Sequence, residues 1–149
     1  MKRLGHLLAA AALIMSAAGC DESLQDFAGP TPTLEPTFTS IQRDIFNTTD
    51  TAARQACTNC HNSGNAVLAG GLNLTGAGAY NALVNAPSTG KPGAIRVIPG
   101  NPDGSYLIQK LEGAPGIVGD RMPQSGPPFL TTGQITIIRE WIERGAPNN

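Results

Sequence analysis

The sequence is short of aromatic rings, of charge and of metal-binding side chains, and each shortage narrows what the chain can be. Aromatic residues are 5% of 149. Two of the seven, Phe27 and Phe38, fall in a stretch that reads as tether, which leaves Phe46, Tyr80, Tyr106, Phe129 and Trp141 for one core of roughly 110 residues. Such a core is thin, and the length makes one domain the default expectation. Charged residues are only 14%, the formal net charge is −1, and no basic run occurs, so nucleic acid is not an expected partner. No apolar run is long enough for a permanent bilayer span: the longest, Leu7 to Ala18, is interrupted by Ser16. Histidines number only 2, cysteines 3 and methionines 3, so side chains able to hold a metal are few.

What is present begins with Lys2 and Arg3 ahead of that short apolar run, the pattern of a secretory leader. It closes on Ser16-Ala17-Ala18-Gly19-Cys20, which resembles a bacterial lipobox, so residues 1–19 are expected to be a lipoprotein signal peptide and Cys20 the lipidated first residue. Ordinary cleavage after Ala18 is the alternative, and it would leave Cys20 as an unpaired exported thiol needing a separate explanation. Acyl chains on Cys20 would hold the protein at a membrane of the cell envelope, with the folded part in the periplasm or outside the cell. Loss of Lys2 and Arg3 leaves eight basic residues against eleven acidic ones, a balance of about −3 that favours a partner with a basic docking patch. Residues 20–39 carry three prolines and no apolar period and read as a flexible tether.

Residues 40–149 read as one all-α domain with long Gly- and Pro-rich loops. Thr39-Ser40-Ile41-Gln42 fits a capping box, with Ile41, Ile45 and Phe46 on the buried face of the helix it would open. Asp50 is placed to cap a second short helix through Ala52, Ala53 and Ala56 up to Cys57. Further helices are expected over Ala77 to Asn85 and from Asn101-Pro102 through Leu111 to a stop at Gly113. The last is expected from the capping box Thr131-Thr132-Gly133-Gln134 to Gly145 and Pro147, with Ile135, Ile138, Trp141 and Ile142 facing inward. Ile95 to Ile98 is the one extended apolar run, and one run does not make a sheet. Glu112 to Thr131 has no periodicity, and an unstructured stretch of that length in a small domain calls for a function. Met122 lies at its middle.

The chemistry lies in Cys57-Thr58-Asn59-Cys60-His61. Cys-x-x-Cys-His is the attachment signature of c-type haem: two thiols spaced to add across two vinyl groups, then an imidazole for the iron. Attachment takes place outside the cytoplasm, where the leader would send the chain. A redox dithiol would require a surrounding β-α-β pattern that is missing, and a zinc clip a second ligand pair. Without the leader one histidine, His61, and one methionine, Met122, remain, so two-histidine ligation is excluded. Met122 in a Gly/Pro loop is a poor place for core filler and is the expected second axial ligand, with an open or water-bound iron as the alternative. A buried porphyrin would also supply the apolar mass that the aromatics do not. Arg96, Arg121 and Lys91 are candidates to neutralise haem propionates.

From about Ser40 to Pro147 the chain resembles the class I c-type cytochromes, on the helix before Cys57 to His61, the Met122-Pro123 loop and the closing helix Ile135 to Arg144. It is also similar to an exported bacterial branch that pairs Arg-Met-Pro with a terminal Trp-Ile-x-x-Gly-Ala, here Trp141 to Ala146. Asn47 to Thr51 departs from the family pattern by lengthening the approach to Cys57. The resemblance implies a small cytochrome c-like helical domain with crossed terminal helices, packed around one covalent haem c held by His61 and Met122. It implies a monomeric electron carrier between exported or membrane-bound redox partner proteins, not an enzyme. A haem enzyme or sensor with an open or displaceable distal position is the alternative.

Overall fold

A computed structural model of the protein describes residues 33–50, 52–65 and 69–149. The leader, Cys20 and most of the tether, Phe27 included, lie outside these. The described chain is all-α, with helices α1 (Phe38–Ile41), α2 (Ala79–Leu83), α3 (Tyr106–Glu112) and α4 (Thr132–Glu143) and no strand among the described residues. Ile95 and Val97 make only isolated bridges, to Pro87 and Val84.

α4 forms where the sequence places it. Thr131 Oγ1 accepts from Gln134 N at 3.2 Å and Gln134 Oε1 accepts from Thr131 N at 3.0 Å, so the box satisfies two donors that a helix start leaves open. Ile135, Ile138, Trp141 and Ile142 are buried on one face, and Gly145, at φ 93°, carries the chain out of the helix.

α1 starts earlier than its sequence suggests. The cap is Thr37, whose Oγ1 accepts from Ser40 N at 3.2 Å, so Thr39 and Ser40 are already inside the helix. Gln42, expected to reach back to the cap, instead donates to Gly76 O at 3.1 Å. The other first-turn donors are met from far along the chain: Asn149 Oδ1 accepts from Phe38 N at 3.1 Å and Asn149 O from Thr39 N at 2.8 Å. Past Ile41 the helix widens into a π-turn, Gln42–Phe46, with Ile45 and Phe46 buried.

Phe38, read as tether, is a core residue. Its ring lies edge-on to Tyr80, with centroids 5.3 Å apart, and tilted over Trp141 at 5.6 Å. Leu34 also packs against the core. The polar ends of the aromatic group are met as well, since Trp141 Nε1 donates to Pro147 O at 2.9 Å and Tyr80 OH to Ala146 O at 2.8 Å.

Two other helices are shorter than expected, for identifiable reasons. Asn101-Pro102 opens a turn closed by Gly104 N on Asn101 Oδ1 at 2.9 Å, and Ser105 Oγ accepts from Ile98 N at 2.9 Å, so α3 starts only at Tyr106. It ends at Gly113 as expected, in the left-handed conformation at φ 70°. α2 is preceded by a 3₁₀ turn, Gly76–Gly78, and ends where Val84 becomes extended.

Candidate functional site

The helix expected over Ala52 to Ala56 does not form. Ala53 takes the left-handed conformation at φ 64°, and Asp50 organises a loop, its Oδ1 accepting from Ala52 N at 3.0 Å and Arg54 N at 2.9 Å. Asp50 is thus a cap without a helix. Its other oxygen, Oδ2, accepts from Arg54 Nε at 3.0 Å, and the Arg54 side chain is fully buried. Arg54 belongs to no motif in the sequence. The four-residue spacing to Asp50 was the available signal, but it points to an ion pair only where the backbone is helical.

Cys57 then begins a 3₁₀ turn, Cys57–Asn59, in which Cys57 O accepts from Cys60 N at 3.2 Å and from His61 N at 2.8 Å. This one turn brings together the three residues singled out in sequence. It is seated on the C-terminal end of the α1 π-turn, where a helix leaves carbonyls unpaired. Ile45 O accepts from Arg54 Nη2 at 3.4 Å, and Phe46 O from Thr58 Oγ1 at 3.3 Å. On the other side Asn62 Nδ2 donates to Thr58 O and Asn59 O, each at 3.0 Å, and His61 O accepts from Leu74 N at 2.9 Å.

Both thiols are free, Cys60 exposed and Cys57 half-buried. Burial pushes the Cys57 thiol above its usual pKa, and the nearby Arg54 charge opposes the shift. His61 Nδ1 is buried with no hydrogen-bond partner among the described residues. Burial holds the imidazole below its usual pKa, the neighbouring Leu72 backbone offsetting part of this and the Arg96 charge adding to it. The shift favours the neutral ring, the form that binds a metal.

Met122 lies, as expected, in an irregular segment, partly buried against the same core as Cys57. Its N–H donates to Lys110 O at 2.9 Å, at the C-terminal end of α3. The three candidate propionate partners all have backbone contacts here. Arg96, buried, donates to Ala82 O at 2.8 Å and Gly70 O at 3.0 Å, Arg121 Nε to Leu111 O at 2.8 Å, and Lys91 Nζ to Gly116 O at 2.9 Å. Arg96 has no carboxylate partner among the described residues and stays a candidate for an external anion. Among the described residues no three His, Cys, Asp or Glu side chains gather as a metal site. The turn thus offers two free thiols and one imidazole on five consecutive residues.

No protein-family model matches the chain, nor does any curated protein or solved structure.

Proposed function

We propose that this chain is a monohaem c-type cytochrome that carries single electrons between exported or membrane-bound redox partners. The observation that supports it most is the turn at Cys57: two free thiols spaced as Cys-x-x-Cys and, directly after them, an imidazole whose Nδ1 is buried and unpaired among the described residues. The secretory leader expected in residues 1–19 agrees with it.

In this reading Cys57 and Cys60 would hold the haem covalently, as thioethers, and His61 and Met122 would be the residues that bind its iron. Haem, when bound, supplies a reversible one-electron iron couple. The chain's contribution is to fix its ligands and keep other molecules off the metal. His61 is fixed by the turn and by Leu74 N on its carbonyl. Met122, the one thioether left once the leader is cut, leaves no position for a substrate, so the chain exchanges electrons without turning anything over. Histidine with methionine places the potential higher than two histidines would. Acyl chains on Cys20 keep the carrier at the membrane.

Expression in a host that matures c-type cytochromes tests this directly. The haem should remain with the polypeptide through acid–acetone extraction, and replacement of both Cys57 and Cys60 by Ala should abolish that. Extraction-resistant haem in the double variant would overturn the assignment. Carbon monoxide added to the reduced wild type should give no adduct; a ready adduct would favour the enzyme or sensor with an open distal position.

A further inference from the structure

The segment between α3 and α4 has no regular structure, yet its backbone groups need partners like any others. One residue of α3 supplies several of them. Lys110 Nζ donates to Val118 O at 2.9 Å and also to Asp120 O, while Lys110 O accepts from Met122 N at 2.9 Å. Gly119, between the two carbonyls, has φ 67°, and nothing lies within 4 Å of where its Cβ would be. Its requirement for glycine is conformational: the left-handed backbone lets both carbonyls face one ammonium. The adjoining Arg121 donates to Leu111 O at 2.8 Å and lies over the Phe129 ring at 4.1 Å. Residues 118, 120, 121 and 122 are thus all fastened to Lys110 and Leu111.

A surface lysine normally leaves its ammonium in water and keeps its rotamer freedom. Lys110 gives that up for two charge-assisted bonds to the four residues that lead into Met122. The beginning of the segment has separate ties, through Lys91 Nζ on Gly116 O at 2.9 Å and Val118 N on Tyr106 OH at 3.0 Å. Loss of the Lys110 ammonium therefore releases residues 118 and 120 and slackens the approach to Met122, while Met122 N and Arg121 keep their ties to the α3 carbonyls.

We propose that Lys110 is a positioning residue for Met122, a clamp on the carbonyls of residues 118 and 120 that holds the thioether where an axial ligand is needed. The inference rests on the proposed function. Its consequence is that the distal side stays closed because of Lys110 and Gly119 as much as because of Met122 itself.

The test uses the mature holoprotein as wild type, Lys110→Met, Lys110→Arg, Gly119→Val and Met122→Ala. The readouts are the near-infrared sulfur-to-iron band and the rate of carbon monoxide binding to the reduced form, with thermal midpoints in parallel. Met122→Ala should lose the band and bind carbon monoxide readily, which establishes the thioether as the ligand. Lys110→Met should keep covalent haem, weaken the band and bind carbon monoxide at least about ten-fold faster than wild type, the scale of one lost charged hydrogen bond. Gly119→Val should behave alike, and Lys110→Arg should restore most of the wild-type rate. If Lys110→Met and Gly119→Val lower only the thermal midpoint, with band and rate unchanged, the clamp is merely structural and the proposal fails while the ligand assignment stands. If Met122→Ala itself matches wild type, Met122 is not the ligand and the proposal falls with that assignment.

Discussion

Arg54 and Asp50 form an ion pair withdrawn from water, with Nε on Oδ2 at 3.0 Å and side-chain exposures of 0% and 7%. Removing one member leaves the other charge buried without compensation, which costs roughly 3–5 kcal/mol, a large part of the 5–15 kcal/mol typical of a domain. Arg54→Leu should therefore lower the urea unfolding free energy by about 3 kcal/mol. Adding Asp50→Asn should recover much of the loss, because the amide keeps an acceptor for Ala52 N and Arg54 N and removes the stranded charge. An additive double variant would mean that the two side chains do not act as a pair. Cys57, Cys60, His61 and Met122 could be singled out as candidates in the sequence because residue type and spacing alone propose them. Arg54 could not, since what makes it matter is the Ile45 carbonyl nine positions back and a loop that only the folded chain defines.

Among the elements, α1 and α3 share a design: each ends in carbonyls that receive a segment of chemical interest, the Cys57 turn on one and the Met122 approach on the other. The π-turn that follows α1 has its own electrostatics. Asp44 accepts from Ser40 Oγ at 2.9 Å and pairs with Arg43 at 2.7 Å, and the Arg43 hydrogen bond, then that of Ser40, holds its carboxyl below the usual carboxylate range. A carboxylate with a depressed folded pKa contributes stability that is present above the unfolded value, near pH 4, and is lost as pH falls through the lower folded value. Arg43 is largely exposed, so its share, the largest, is screened by solvent and the net effect is small. Asp44→Asn should thus be less stable by about 1 kcal/mol at neutral pH. The gap should close as urea unfolding is repeated down to about pH 3, and a gap independent of pH would refute the assignment. α4 could be read in full because cap, core face and stop are all local. The start of α1 could not, because Asn149 supplies two of its acceptors from the far end of the sequence.

For the molecule as a whole, the aromatic shortage is met by concentration: Phe38, Tyr80 and Trp141 stack as one group and tie α1, α2 and α4 together, which is why a residue that composition assigned to the tether belongs to the core. No helix among the described residues is long and apolar enough to cross a membrane. The proposed attachment is through acyl chains on Cys20. Two or more chains on one cysteine hold a protein stably, and a single chain would not. Cys20→Ser should accordingly move the protein from the membrane pellet to the soluble fraction while leaving its haem content and spectrum unchanged, because the substitution lies in the expected tether and touches none of the proposed ligands. Mass spectrometry of the wild-type N-terminus gives the sharper reading: a mature chain that begins at acylated Cys20 is expected, whereas one that begins at unmodified Gly19 would sink the lipid anchor. A Cys20→Ser variant that stays in the pellet after an alkaline wash would do the same from the other direction, by showing that retention belongs to the folded part and its partners rather than to the lipid.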